Sequence, residues 1–308
     1  MRLWEDTPIS FPGLGIENID PPEGFYLFGS DFQVKFYGVI IALGLFLAVI
    51  YCMKRAKAFG LTADNIIDVA LVGVPCAVIG ARLYYVLLYG TPFNQWLNIR
   101  DGGLAIYGGV IGAVLGVGIF SLTSRQRRAR FLPSADMAGI GLLIGQSIGR
   151  WGNFFNREAF GSYCDNFLAM RLPEKCIRGL ADTPQIHQMR LKAIEGGYEG
   201  FVQVHPTFLY ESLWNAVGFI LLHFLSKKRR FDGQVFLYYI AWYGLGRFFI
   251  EGLRTDSLMS GGFRTSQLVA IVSFLAAIAI LLMVLLIKRP NPKNMLVNRI
   301  TSTQETEE

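Results

Sequence analysis

Seven stretches of mostly apolar sequence, at 34–53, 66–89, 103–122, 136–152, 207–226, 234–252 and 266–287, approach the roughly 20 residues that a helix needs to cross a bilayer. The fourth is short and interrupted. No run of about ten residues alternates apolar with polar in the way a transmembrane barrel strand does. Of 308 residues, 52% are hydrophobic and 17% charged, and the mean hydropathy is +0.38, far from a soluble domain. The pattern predicts an all-α polytopic membrane protein with seven transmembrane helices.

Orientation follows from the short connections. Lys54, Arg55 and Lys57 make one set of basic loops with Arg125, Arg127, Arg128 and Arg130, with Lys227, Lys228, Arg229 and Arg230, and with Lys288, Arg289 and Lys293. The alternate connections, around 90–101 and 253–265, are poor in basic residues. The N-terminus is therefore expected outside and the C-terminus in the cytoplasm, with a small external insert. The expected segments are 1–152 (N-terminal stretch and helices 1–4), 153–204 (external), 205–289 (helices 5–7) and 290–308 (cytoplasmic tail). The net charge of +6 reads as topological bias and attraction to anionic membrane lipid. No basic and aromatic pattern points to nucleic acid. The acidic, proline-rich stretch 1–33 lacks the form of a cleavable signal peptide. Cys164 and Cys176, both in the external segment, could pair, but sequence leaves their geometry open.

Gly108, Gly112 and Gly116, then Gly141, Gly145 and Gly149, recur at every fourth position and read as helix-packing seams. The intramembrane polar residues are more telling. Under the expected topology Tyr37, Arg82, Tyr107, Arg150, His205, Tyr210, Arg247 and Glu251 all map to the outer half of the bilayer. Ion pairs that only hold helices together have no reason to share one depth. An arginine at a helix centre costs about 2.5–3.5 kcal/mol to insert, so Arg82, Arg150 and Arg247 need anions or a watery cavity. Glu158, Glu211 and Glu251 can neutralise some of them, and Arg247 with Glu251 has the spacing of a local helix pair. That internal network is the bland alternative. A guanidinium group also suits bidentate phosphate binding, and the outer leaflet offers phosphate as lipid headgroups.

Metal-dependent proteolysis, serine hydrolysis of the elbow type and nucleotide-driven work lack their motifs here. A transporter or flippase for an anionic lipid or metabolite is the competing class, but it needs polar residues along a whole pathway, not in one half. A pure scaffold leaves the arginine cost unexplained.

The stretch "GRWGNFFNREAFG", 149–161, resembles the defining motif of the prolipoprotein diacylglyceryl transferase family, GRxGNFxNxExxG, at every fixed position. "GARLYYVL" (80–87), "DGGLAIYGG" (101–109), "HPTFLYES" (205–212) and "YGLGRFFIEGLR" (243–254) are similar to further family blocks in the same order. The resemblance implies a bacterial inner-membrane transferase that acts at the outer leaflet. Its substrates would be phosphatidylglycerol and the lipobox cysteine of preprolipoprotein signal peptides, with no cofactor or metal. It implies that Arg150 binds the headgroup and that Arg247 holds phosphate or stabilises its departure. Asn153, Glu158 and Gly161 would shape the pocket; Tyr37, Tyr243 and Glu251 match other functional positions, and Arg82 lies in a family block. One departure concerns the base: many members have His-Gly-Gly-Leu where this chain has Tyr107, Gly108, Gly109 and Val110. Tyrosine has an ordinary pKa near 10, whereas a free thiol near 8.5 is already a few per cent thiolate at neutral pH. Either nearby arginines lower the pKa of Tyr107 so that it serves as the catalytic base, or another group removes the proton, or phosphate stabilisation matters more than the base; the last is favoured.

Overall fold

The structure, a computed structural model, describes residues 8–26, 33–98, 102–177, 183–255, 259–260 and 263–305. It is mostly helical. Among the described residues five helices are long and apolar enough to cross a membrane: α1 (Phe36–Arg55), α2 (Ala63–Tyr89), α4 (Arg125–Asn156), α6 (Thr207–Leu225) and α8 (Thr265–Leu282), each alone or with its short helical extension. Two further helices coincide with the other apolar windows, α3 (Ile106–Leu122, 17 residues) and α7 (Gln234–Leu253). The fourth window was expected to be short and interrupted, yet α4 runs unbroken for 32 residues. Arg, Gln and Ala before Pro133 are strong helix formers, and the Ser124 hydroxyl accepts from the Arg127 N–H at 3.1 Å at the helix start.

The chain divides into two compact units. The first comprises 1–48, 142–227 and 237–288. Its helices are tied by reciprocal side-chain to backbone bonds. Ser147 on α4 and Ser212 on α6 each donate to the other's carbonyl, at 2.9 and 2.8 Å. Trp214 on α6 and Trp242 on α7 do the same at 3.0 Å each, with their rings stacked 4.4 Å apart. Gly218 and Gly246 make this possible, because a Cβ on either would run into an indole. Gly44 and Gly149 likewise let α1 and α4 approach closely.

The same unit carries a small lobe that corrects the all-α expectation. Strands β1 (Ile9–Phe11), β2 (Ile16–Ile19), β5 (Met170–Pro173) and β6 (Phe201–Val204) form an antiparallel sheet in the order β2-β1-β5-β6, with Ser10 opposite Arg171 and Met170 opposite Val204. The hairpin β3 (Gly24–Tyr26) and β4 (Gln33–Lys35) leads into α1. Helix α5 (Pro184–Glu195) starts at Thr183, whose hydroxyl accepts from the Ile186 N–H, and it buries Ile186 and Met189 against Ile9, Leu172 and Val202. Phe154 of α4 and Phe208 of α6 enter this core, so the lobe sits directly on the helix ends. Hairpin strands β7 (Met259–Ser260) and β8 (Phe263–Arg264) join α7 to α8. Cys164 and Cys176 are both free. Burial pushes each thiol up to about 11.

The second unit comprises 49–141, 228–236 and 289–308, including the C-terminal helix α9 (Leu296–Glu305). Here α2 begins with a capping box between Thr62 and Asn65 and packs on α3 through Gly80, Gly108 and Gly112, where any Cβ would collide with the facing backbone. The expected seam is thus a backbone contact at Gly108 and Gly112, while Gly116 meets the Cys76 side chain. Arg82 closes the α2–α3 connection: Nε donates to the Trp96 carbonyl at 2.9 Å, Nη2 to Gln95 at 2.6 Å, and Nη1 to Gly102 and Gly103 at 3.0 and 2.9 Å.

Candidate active site

Three helices of the first unit present polar residues at four-residue spacing, which puts each set on one helix face. On α7 these are Tyr239, Tyr243, Arg247 and Glu251; on α6, Glu211 and Asn215; on α4, Gln146 and Arg150, with Asn153 three further on. The faces meet at Glu211. Arg150 Nη2 lies 2.6 Å from one carboxylate oxygen of Glu211, and Arg247 Nη1 lies 3.1 Å from the other. Arg247 Nη2 reaches Glu251 at 2.5 Å, so the local pair expected from spacing forms. Arg150 Nη1 donates to Asn153 Oδ1 at 3.3 Å, and Asn153 Nδ2 donates to Glu158 Oε1 at 2.9 Å. Asn156 adds a second donor to that oxygen at 3.2 Å. The Tyr243 side chain is hydrogen-bonded to Arg150, its ring stacks 5.9 Å from Tyr239, and the Tyr239 hydroxyl accepts from Gln146 at 3.0 Å. One chain of contacts therefore runs from Glu251 to Glu158.

Exposure gives this network a direction. The Glu211 and Glu251 side chains are 4% and 3% exposed, whereas Arg150 and Arg247 are 22% and 17% exposed. The carboxylates are the more deeply buried members and the cations the more accessible ones. Each guanidinium has five N–H groups and no acceptor, so donors remain after the internal contacts. The internal ion-pair network is present, and it holds two cations on one carboxylate. Tyr37, at the start of α1, packs against Gly152 and lies within electrostatic reach of Glu158 and Arg150.

The end of α4 is held by the motif's last residues. Gly161 N–H donates to the His205 carbonyl at 2.9 Å, His205 N–H to Ser162 at 3.0 Å, and Ser162 N–H to Leu253 at 2.7 Å. This knits the motif to the start of α6 and the end of α7. A Cβ on Gly161 would sit 2.7 Å from that of His205 and 2.9 Å from the Leu253 carbonyl, so only glycine fits. The His205 ring meets the Tyr210 hydroxyl at 3.3 Å, and burial lowers its pKa, the direction expected when desolvation disfavours charge.

The structure thus brings together Arg150, Arg247, Glu251, Asn153, Glu158, Gly161, Tyr37 and Tyr243. Arg82 and Tyr107 belong to the second unit, and four of the five Arg82 donors already serve loop carbonyls. Three neighbours carried no role in the sequence reading. Arg254 acts electrostatically on Arg150 and bridges to Gly161, Arg264 donates to the Glu251 carbonyl, and Asp20 pairs with Arg157 at 2.5 Å. Only Arg254 had a visible signal, about two turns beyond Arg247 and one beyond Glu251 in the same block.

Comparison with known proteins gives the same answer as the motif. A sequence profile described as prolipoprotein diacylglyceryl transferase matches residues 24–283. Among similar proteins, the phosphatidylglycerol–prolipoprotein diacylglyceryl transferase of Clostridium novyi (strain NT) is 39% identical over 277 residues, covering 89% of this chain and 97% of that protein. Those of Bacillus cereus (strain G9842) and Bacillus mycoides (strain KBAB4) are each 44% identical over 248 residues, covering 79% of this chain and 84% of theirs. With matching apolar helices, an intact motif and relatives this similar along most of its length, the chain belongs to the prolipoprotein diacylglyceryl transferase family.

Proposed function

We propose that this protein transfers the diacylglyceryl group of phosphatidylglycerol to the lipobox cysteine thiol of a preprolipoprotein, forming a thioether and releasing glycerol phosphate. The observation that carries this reading is the convergence of Arg150 and Arg247 on Glu211, a carboxylate more deeply buried than either cation. The acceptor thiol gives up its proton to solvent, and the thiolate attacks the glycerol carbon that bears the phosphate. The carbon–oxygen bond breaks with its electron pair going to the phosphate oxygen. Charge grows on that leaving group, where preorganised donors lower the barrier most. Arg150 and Arg247 hold the phosphate. Glu211 and Glu251 fix the two guanidinium groups. Asn153, Glu158, Gly161, Tyr37 and Tyr243 shape the pocket around them. Tyr107 replaces the family histidine and takes a minor part, because the thiol reaches its reactive form at neutral pH without a strong base. Arg82 organises the α2–α3 connection in this reading, leaving the phosphate to the other arginines.

Parity supports seven spans. β1 and β5 share one sheet, and an open sheet does not straddle a bilayer, so an even number of crossings separates them. With α1, α2 and α4 long enough to span, α3 makes the fourth. Its 17 residues extend about 25 Å. Gly161 and Arg254 share a β-bridge, so α6 and α7 cross as a pair, and α8 is the seventh. The basic loops after α1, α3, α6 and α8 mark the cytoplasmic side. The arginine pair, the lobe and the N-terminus then face the outer leaflet of the bacterial inner membrane. The test is purified protein with labelled phosphatidylglycerol and a lipobox peptide, read by mass spectrometry. A diacylglyceryl adduct on cysteine is expected; an unmodified peptide alongside lipid movement between leaflets would favour transport.

A further inference from the structure

Arg157 occupies an unspecified position of the motif, yet its backbone is unusual. It is the first residue past α4 and has φ +52°, and Ala159 two residues later has φ +58°. L side chains rarely adopt this left-handed region. Such conformations persist where the surroundings over-determine them, and they gather at functional sites. The surroundings here are specific. The Arg157 side chain is fully buried, its Nη1 donates to the Phe155 carbonyl at 2.9 Å, and its Nη2 meets Asp20 Oδ1 at 2.5 Å. Asp20 directly follows β2, so the partner comes from the N-terminal part of the lobe.

The bent turn has a result at the site. It lets the Glu158 N–H reach back to the Asn153 carbonyl at 3.0 Å. The Glu158 carboxylate is thereby directed at Asn153 and Asn156, and Asn153 in turn contacts Arg150. An ordinary surface ion pair contributes little. This one differs because its cation is enclosed and sits on the residue before Glu158.

We infer that Asp20 is a positioning residue for the transfer reaction: by holding the buried Arg157 guanidinium it fixes the left-handed turn that aims Glu158 at Asn153, beside Arg150. The inference rests on the transferase reading. It concerns a residue far from the motif in sequence, in an acidic and proline-rich segment.

The test is a double-mutant cycle on the full chain, with kcat taken per folded molecule. Asp20→Ala is expected to lower kcat about tenfold while KM for lipid and peptide stays within about twofold, and Asp20→Glu to restore most of the loss. Glycine adopts the left-handed conformation freely, so Arg157→Gly keeps kcat within about threefold, whereas Arg157→Ala falls as far as Asp20→Ala. In the Arg157→Gly background, Asp20→Ala has no further effect. A wild-type kcat in Asp20→Ala, or an equal loss in both backgrounds, overturns the inference while leaving the transferase reading intact. Absence of any transfer by the unmodified protein overturns the transferase reading, and this inference with it.

Discussion

Arg150 and Arg247 share one carboxylate, Glu211, at 2.6 and 3.1 Å through its two separate oxygens. Two like charges are thereby held close together with donors to spare, an arrangement suited to a phosphate. The geometry depends on the planar fork of each guanidinium, which a lysine ammonium cannot reproduce. Arg150→Lys should lose more than about a hundredfold in kcat, the scale seen when a preorganised anion donor is removed. Turnover of labelled phosphatidylglycerol measures it, and near-normal rates would count heavily against the assignment.

Glu211 is enclosed, so deleting it takes the carboxylate from Arg150 and leaves Arg247 with Glu251 alone. Removing one partner from a buried pair costs about 3–5 kcal/mol, or about 10 °C in unfolding temperature for a chain of this size. Glu211→Ala should therefore unfold earlier in detergent as well as lose activity. An unchanged melting curve would show that the carboxylate is not needed to hold the arginines.

Arg82 separates two roles that sequence alone could not. With four carbonyls bound, it should matter to the connection between α2 and α3 more than to lipid affinity. Arg82→Ala should raise protease cleavage within 91–103 several-fold while KM for phosphatidylglycerol moves less than about threefold, since freed carbonyls destabilise a loop by roughly 1 kcal/mol each. A large rise in KM with no new cleavage would return Arg82 to the lipid.

The thiols of Cys164 and Cys176 are each held near 11, above the ordinary value. At pH 8 about one in a thousand would be ionised, so both should resist alkylation in the folded protein and react quickly once it unfolds. The unfolded chain sheds these protons at lower pH than the folded one. Their contribution to stability is therefore complete below about pH 9 and declines as pH rises toward about 11. Rapid labelling of native protein at pH 8 would contradict this.

How far the sequence could be read follows from what physics each feature uses. Spanning helices announce themselves by apolar length, and α4 was under-read only because charged residues and Pro133 fill its first turns. The lobe was hidden because its strands have three or four residues and pair between distant segments, leaving no local period to detect. Arg150, Arg247 and Glu251 were legible because a buried charge is expensive and a four-residue spacing is local. That Glu211 serves both arginines is a fact of helix packing, invisible in a single helix. Arg82 had the same cost signal as its fellows, but backbone carbonyls can neutralise an arginine as well as an anion can, and they leave no mark in composition. Asp20 carried no signal, being one of several acidic residues in an acidic, proline-rich stretch.

The pairing of Ser10 with Arg171 also has a bearing on biogenesis. Strand β1 precedes its partner β5 in the chain by four long helices, α1 to α4. Until β5 is made, the β1 edge that it covers lacks that ladder partner. Deleting residues 8–20 would leave insertion of the helices possible while baring β5 at completion, so such a protein should reach the membrane and then be degraded there.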